Sequence, residues 1–102
     1  MISTVLIFNT SFYIDHADVE AWGRWTAERL LPEVEKAVGA VKVELFEVVS
    51  AESEESRVFS VQWRCDEEQL ARVDDVLAEL LEECITVIGV SATHFSSIMR
   101  RI

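Results

Sequence analysis

Few side chains in this sequence are equipped for chemistry: two histidines, two cysteines, and a group of amides and hydroxyls on strand-like runs. His94 is a candidate general base, because imidazole titrates near neutrality. His16 follows Asp15 and reads as a surface residue. Neither histidine has Cys or carboxylate neighbours at metal-ligand spacing, and no Cys-x-x-Cys occurs, so neither a metal nor a cofactor is expected. Tyr13 and Arg64 are the other titratable candidates. Asn9, Ser11, Ser60 and Gln62 could orient a ligand carbonyl or a water. They could equally satisfy one another, or a partner chain, inside an interface. Trp22 lies on an apolar helical stripe and reads as core. Trp25 lies at the flank of that stripe, as a dimer contact or a pocket wall. The acids from Asp66 to Glu83 fall off the apolar stripe of their helix, so they read as a solvated face rather than paired catalytic carboxylates. No Ser/His/Asp arrangement is present, and three glycines cannot build a phosphate loop.

These residues need elements to position them. Thr4–Ile14 alternates as a strand, with Phe8 and Phe12 on one face and Asn9, Ser11 and Tyr13 on the other. Asp15 is a candidate N-cap for a helix reaching Val38. Val19, Trp22, Thr26, Leu30 and Ala37 form its stripe, and Gly23 in that stripe would allow close approach to a sheet. Pro32 should kink the helix or start a second segment, and Gly39 should stop it. Val41–Ser50 and Arg57–Cys65 read as strands joined by the acidic loop Ser50–Ser56. Asp66 and Gln69 have capping-box spacing. Leu70, Val73, Leu77, Leu80, Leu81 and Cys84 then fall within about 100° of arc. Gly89 ends that helix, and Val90–Met99 is a last strand.

The order β-α-β-β-α-β predicts an α+β, ferredoxin-like fold: a four-stranded antiparallel sheet with two helices on one face. The chain has 102 residues, half of them apolar, which fits one domain over 1–102. Nine basic against nineteen acidic residues give a net charge of −10. That excess argues against nucleic acid and against anionic membranes. No run approaches the ~20 apolar residues of a membrane span. Met1–Ser11 holds no Lys or Arg, so no secretory signal is read and the cytoplasm is expected. Cys65 and Cys84, at opposite ends of one helix and roughly 28 Å apart at 1.5 Å per residue, cannot pair.

The helix-facing side should carry Phe8, Phe12, Phe59, Val61 and Trp63. The open side should carry Asn9, Ser11, Tyr13, Ser60, Gln62 and Arg64, together with Val5, Ile7 and Val58. Such a mixed face suits cover by a second copy. A homodimer would then enclose a cavity or interface for which Trp25 and His94 are further lining candidates, with room for a small hydrophobic or polar ligand.

Trp22-x-x-Trp25 followed by Leu31-Pro32-Glu33-Val34 resembles the Trp-x-x-Trp…His-Ile-Pro-Asp-Val segment of the domain-of-unknown-function 4286 family. Phe8–Phe12 is similar to that family's Tyr-Asn-Val-Thr-Val strand, and Val58–Trp63 to its Tyr-Ala-Val-Gln-Tyr strand. The resemblance covers nearly the whole chain. It implies a small bacterial protein with a dimeric α+β-barrel-like fold, and no reaction. Leu30 stands where the family pattern has a His two residues before the Pro. A more remote similarity is to antibiotic-biosynthesis-monooxygenase-like domains, some of which are cofactor-independent oxygenases. Three functions therefore compete. A non-catalytic homodimeric module, structural or ligand-binding, ranks first. A cofactor-independent oxygenase or isomerase ranks second, because titratable cavity groups are few. An amino-acid-sensing module ranks last, because Ile14-Asp15-His16 replaces the Gly-rich turn that class uses.

Overall fold

The computed structural model describes residues 5–39, 41–88 and 93–102. Strands β1 (Leu6–Asp15), β2 (Lys42–Glu47), β3 (Ser56–Cys65) and β4 (Thr93–Arg100) form one sheet in the order β2-β3-β1-β4. Each neighbouring pair is antiparallel. Helical segments α1 (Val19–Trp25) and α2 (Leu31–Val38) connect β1 to β2, and α3 (Glu67–Ile88) connects β3 to β4. This is the ferredoxin-like arrangement. Among the described residues, no helix is long and apolar enough to cross a membrane.

The sheet alternates as β geometry requires. Phe8 pairs with Trp63, Thr10 with Val61 and Phe12 with Phe59. All but Phe59, which packs half-buried against the core, are buried. Above them lie Trp22, Trp25, Leu30, Val34 and Val38 from the first helical stretch. Val73, Leu77, Leu80, Leu81 and Cys84 come from α3. Phe12 is the hub, with ring centroids 5.3 Å from Trp22 and 6.4 Å from Trp25. Trp22 in turn stacks on Phe59 at 4.6 Å.

The first helix departs from the expected Asp15–Val38 in its interior. It starts with a 3-10 turn at His16–Asp18, and Asp15 makes no side-chain capping bond. Between α1 and α2, residues Thr26–Leu30 form a π-helical turn, closed where Leu31 N–H donates to the Thr26 carbonyl. Two sequence features account for it. Pro32 supplies no N–H and clashes with the carbonyl four residues back in a regular helix; a wider turn just before it moves that carbonyl aside. The buried positions also recur every four residues, at 22, 26, 30, 34 and 38. In a regular helix that spacing overshoots by about 160° over four steps, and the wide turn absorbs part of the drift. The expected stripe therefore fails on two counts. Ala37 gives way to Val34 and Val38, and Gly23 is exposed with no atom near its missing Cβ.

Gly39 ends α2 at φ 84°, a left-handed conformation that costs a side-chain-bearing residue energy. The β2–β3 connection carries a 3-10 turn at Val49–Ala51, so β2 ends at Glu47 rather than at Ser50. The capping box at the head of α3 is present: Gln69 N–H donates to Asp66 Oδ1 at 2.8 Å, and Asp66 N–H to Gln69 Oε1 at 3.0 Å. Of the expected strand Val90–Met99, positions 90–92, like Gly89, lie outside the described residues.

Candidate functional site

The uncovered side of the sheet is a grid read directly from the strand register. Its four rows, from β2 through β3 and β1 to β4, are Lys42–Arg64–Ile7–Met99, Glu44–Gln62–Asn9–Ser97, Phe46–Ser60–Ser11–Phe95, and, on three strands, Val58–Tyr13–Thr93. The centre is polar and internally bonded. Ser60 Oγ donates to Asn9 Oδ1. Asn9 Nδ2 donates to Ser11 Oγ at 3.3 Å, and Gln62 Nε2 to Ser60 Oγ at 3.2 Å. Asn9 and Gln62 are thus joined through Ser60. Asn9 and Ser60 are 9% and 7% exposed although no layer covers them, because flanking side chains close over them.

Around this centre apolar and aromatic residues share the border with Lys42, Arg64, Glu44, Ser97 and Thr93. Phe46, Phe95, Tyr13 and Met99 are each 39–52% exposed, and Tyr13 stacks on Phe95 at 6.2 Å. Arg64 Nε reaches Glu44 Oε1 at 3.3 Å at one end. The grid carries Lys42, Arg64 and one acid, Glu44, a formal charge of +1 on a chain of −10. Self-repulsion is therefore concentrated elsewhere.

Six of the eight sequence candidates come together here: Asn9, Ser11, Tyr13, Ser60, Gln62 and Arg64. Two do not. Trp25 is 5% exposed in the core against Phe12, on the helix-covered side. Its flank position on the helical wheel still points inward, because α3 packs beside the first helix as well as the sheet. His94 pairs with Phe12 and shares its face, opposite to Asn9. Its ring lies 6.1 Å from Phe12, and burial holds its pKa below the ordinary imidazole value. Alternation along β4 decides this: only odd-numbered positions of that strand reach the open face. Phe46, Phe95 and Met99 were missed as site residues. The pairing of β2 and β4 with the central strands, which sequence alone leaves open, is what sets them there.

On the helix side, two arginines clamp elements. Arg29 binds Glu83 through two 2.9 Å bonds and Glu33 at 3.3 Å, tying the π turn to α3 and α2. Arg57 binds Glu47 across β3–β2 at 2.8 and 2.9 Å and lies 5.1 Å over the Phe59 ring. Each arginine, chiefly by hydrogen bonding, holds its glutamate below the ordinary carboxylate pKa. Among the described residues, no three His, Cys, Asp or Glu side chains are grouped as metal ligands.

Residues 5–102 match the family described as a domain of unknown function, DUF4286. The chain belongs to this family. No curated protein matches the DUF4286 chain significantly. Among solved structures, it is similar to a nipsnap family protein of unknown function from Agrobacterium tumefaciens. That match has 10% identity and a TM-score of 0.65, covering 99% of this chain and 91% of that one. A dimeric ferredoxin-like protein from an uncultured marine organism matches with 12% identity and a TM-score of 0.58, covering 99% and 97%. A protein from Shewanella loihica, provisionally called a monooxygenase, matches with 14% identity and a TM-score of 0.55, covering 100% and 98%. At these identities the DUF4286 chain shares their fold.

Proposed function

We propose that this protein is a non-catalytic homodimeric module of the cytoplasm, one domain per chain, whose two open sheet faces meet around a polar ligand site. One observation carries the reading: the bonded Asn9–Ser60–Gln62–Ser11 centre is flanked by exposed Phe46, Phe95, Tyr13 and Met99, spaced among Lys42, Arg64, Glu44, Ser97 and Thr93. Protein interfaces ordinarily place apolar residues at the centre and polar ones at the rim. A polar centre with exposed apolar groups spaced around it suits a second copy that seals on those groups and leaves a polar chamber inside. The amides there can both donate to and accept from a small polar molecule. The lack of acidic excess on this face favours self-pairing, and a structural neighbour described as a dimeric ferredoxin-like protein supports a two-chain assembly.

A cofactor-independent oxygenase working in that chamber is the second reading, prompted by the Shewanella neighbour. It ranks lower because Arg64 is engaged by Glu44 and His94 lies behind the sheet, which leaves Tyr13 and the edge residue Lys42 as further titratable groups of that face. Light scattering tests the dimer. The expected mass at about 50 µM is two chains, a concentration well above the micromolar Kd of a modest interface. Phe95→Asp, in a row of the face without a cation, should give a monomer, because it buries an unpaired carboxylate. A wild-type mass of one chain overturns the reading.

A further inference from the structure

Behind the sheet, α3 and β4 do not close on each other. Between them is a groove with a volume of about 290 Å³. Its floor is Phe8, Leu77 and Leu81, all three buried. The gap exists because small residues, Ala78 on the helix and Ser96 on the strand, stand where larger ones would fill it. Ser96 Oγ is already held by Thr10 Oγ1 at 2.9 Å. His94 is half-buried at the wall, and burial favours its neutral form. Asp74, Ala78 and Glu82 recur every four residues, so they form one lip of the groove. The two carboxylates are about 12 Å apart along the helix. Neither takes part in an ion pair among the described residues, unlike Glu33, Glu44, Glu47 and Glu83.

Apolar walls, a neutral imidazole and two unneutralised carboxylates at the mouth select one ligand chemistry. We infer that this groove is a binding site for a small organic cation, an apolar body resting on Phe8, Leu77 and Leu81 with its ammonium at Asp74 or Glu82. The apolar walls supply burial, and the carboxylates supply charge selection. A volume near the lower limit of small-molecule sites favours a compact arylalkyl or branched alkyl amine. The site lies on the opposite side of the sheet from the dimer face and does not depend on it.

Three isosteric probes test this on the full chain by NMR titration: phenethylamine, phenethyl alcohol and phenylacetate. The amine should shift the His94 ring and Ala78 methyl signals saturably. The alcohol should bind several-fold more weakly, and the acid should not bind. Ala78→Leu, at an exposed helical position with high helix propensity, should fill the groove and abolish the amine shifts while the spectrum elsewhere stays folded. Asp74→Asn together with Glu82→Gln should bring the amine down to the affinity of the alcohol. Three results overturn the inference: binding of phenylacetate equal to the amine, amine shifts that persist in Ala78→Leu, or amine shifts at Asn9 and Gln62 instead of His94.

Discussion

Cys84 is fully enclosed between α3 and the sheet, and burial pushes its thiol pKa up to about 11. Cys65, at the end of β3, is raised for the same reason, with Asp66 adding to it. Reactivity belongs to the thiolate, so both should resist alkylation by iodoacetamide at pH 8 in the native protein. Both should react within minutes in denaturant, and mass spectrometry counts the adducts. His94 gives a pH effect of definite sign. Its folded pKa lies below the unfolded value near 6.5, so the unfolded chain takes up the proton first. Its contribution is complete above about pH 6.5 and is lost as pH falls through the folded pKa. Glu47 and Glu83 add a second loss below the ordinary carboxylate range, as protonation releases Arg57 and Arg29. Urea midpoints measured from pH 8 to pH 3 should therefore fall in two stages, and a His94→Gln variant should lack the first. Side-chain chemistry was legible in the sequence where alternation alone sets a residue's face, as at Asn9, Ser11 and Tyr13. His94 was misplaced because its face depends on the register of β4 against β1, which no local pattern specifies.

At the scale of the element, the π turn is the part with an unusual energetic signature. Thr26 Oγ1 is buried there, and Trp22 Nε1 one turn earlier in α1, without hydrogen-bond partners. An unsatisfied buried polar group costs about 1–3 kcal/mol. Thr26→Val keeps the shape and the β-branching and removes the orphan hydroxyl. It should raise the unfolding free energy by about 1 kcal/mol, and a loss in chemical denaturation would refute this account of the turn. Gly39→Ala runs the other way, because φ 84° with ψ −168° is a region used essentially by glycine alone and costs a residue with a Cβ about 1–3 kcal/mol. The helix itself was readable from its apolar residues and from Gly39. Its internal phase was not, because two devices, a four-residue spacing and a proline, had to be reconciled by a turn rarer than any propensity scale anticipates.

For the whole molecule, the decisive asymmetry is electrostatic. A chain of −10 presents one face whose strand residues sum to +1. Screening reaches about 8 Å at physiological salt and about 30 Å at 0.01 M. The proposed dimer should hold at 0.15 M and loosen at 0.01 M, which sedimentation at the two salt concentrations reads out; a dimer that weakens as salt is added would mean that attraction between unlike charges, not apolar contact, holds it. Topology was legible because two amphipathic helices separate the strand runs. The apolar part of the open face's border was not, because Phe46 and Phe95 join it only through strand pairings that no local pattern specifies.

The sheet order has a consequence in time. Leu6 pairs with Cys65 on one side and with Arg100 on the other. The first of the four strands is the last to be satisfied, since its partners lie 41–59 residues away in β3 and 80–94 residues away in β4. Such closures are paid in loop entropy before they return any contact, so they slow the search for the native state. The β2–β3 hairpin, whose partners are close in sequence, is the natural early event, with α3 condensing on it. Until β4 arrives, β1 offers a bare ladder edge flanked by Phe8 and Phe12, and that interval is when a growing or refolding chain is most exposed to pairing with the wrong strand.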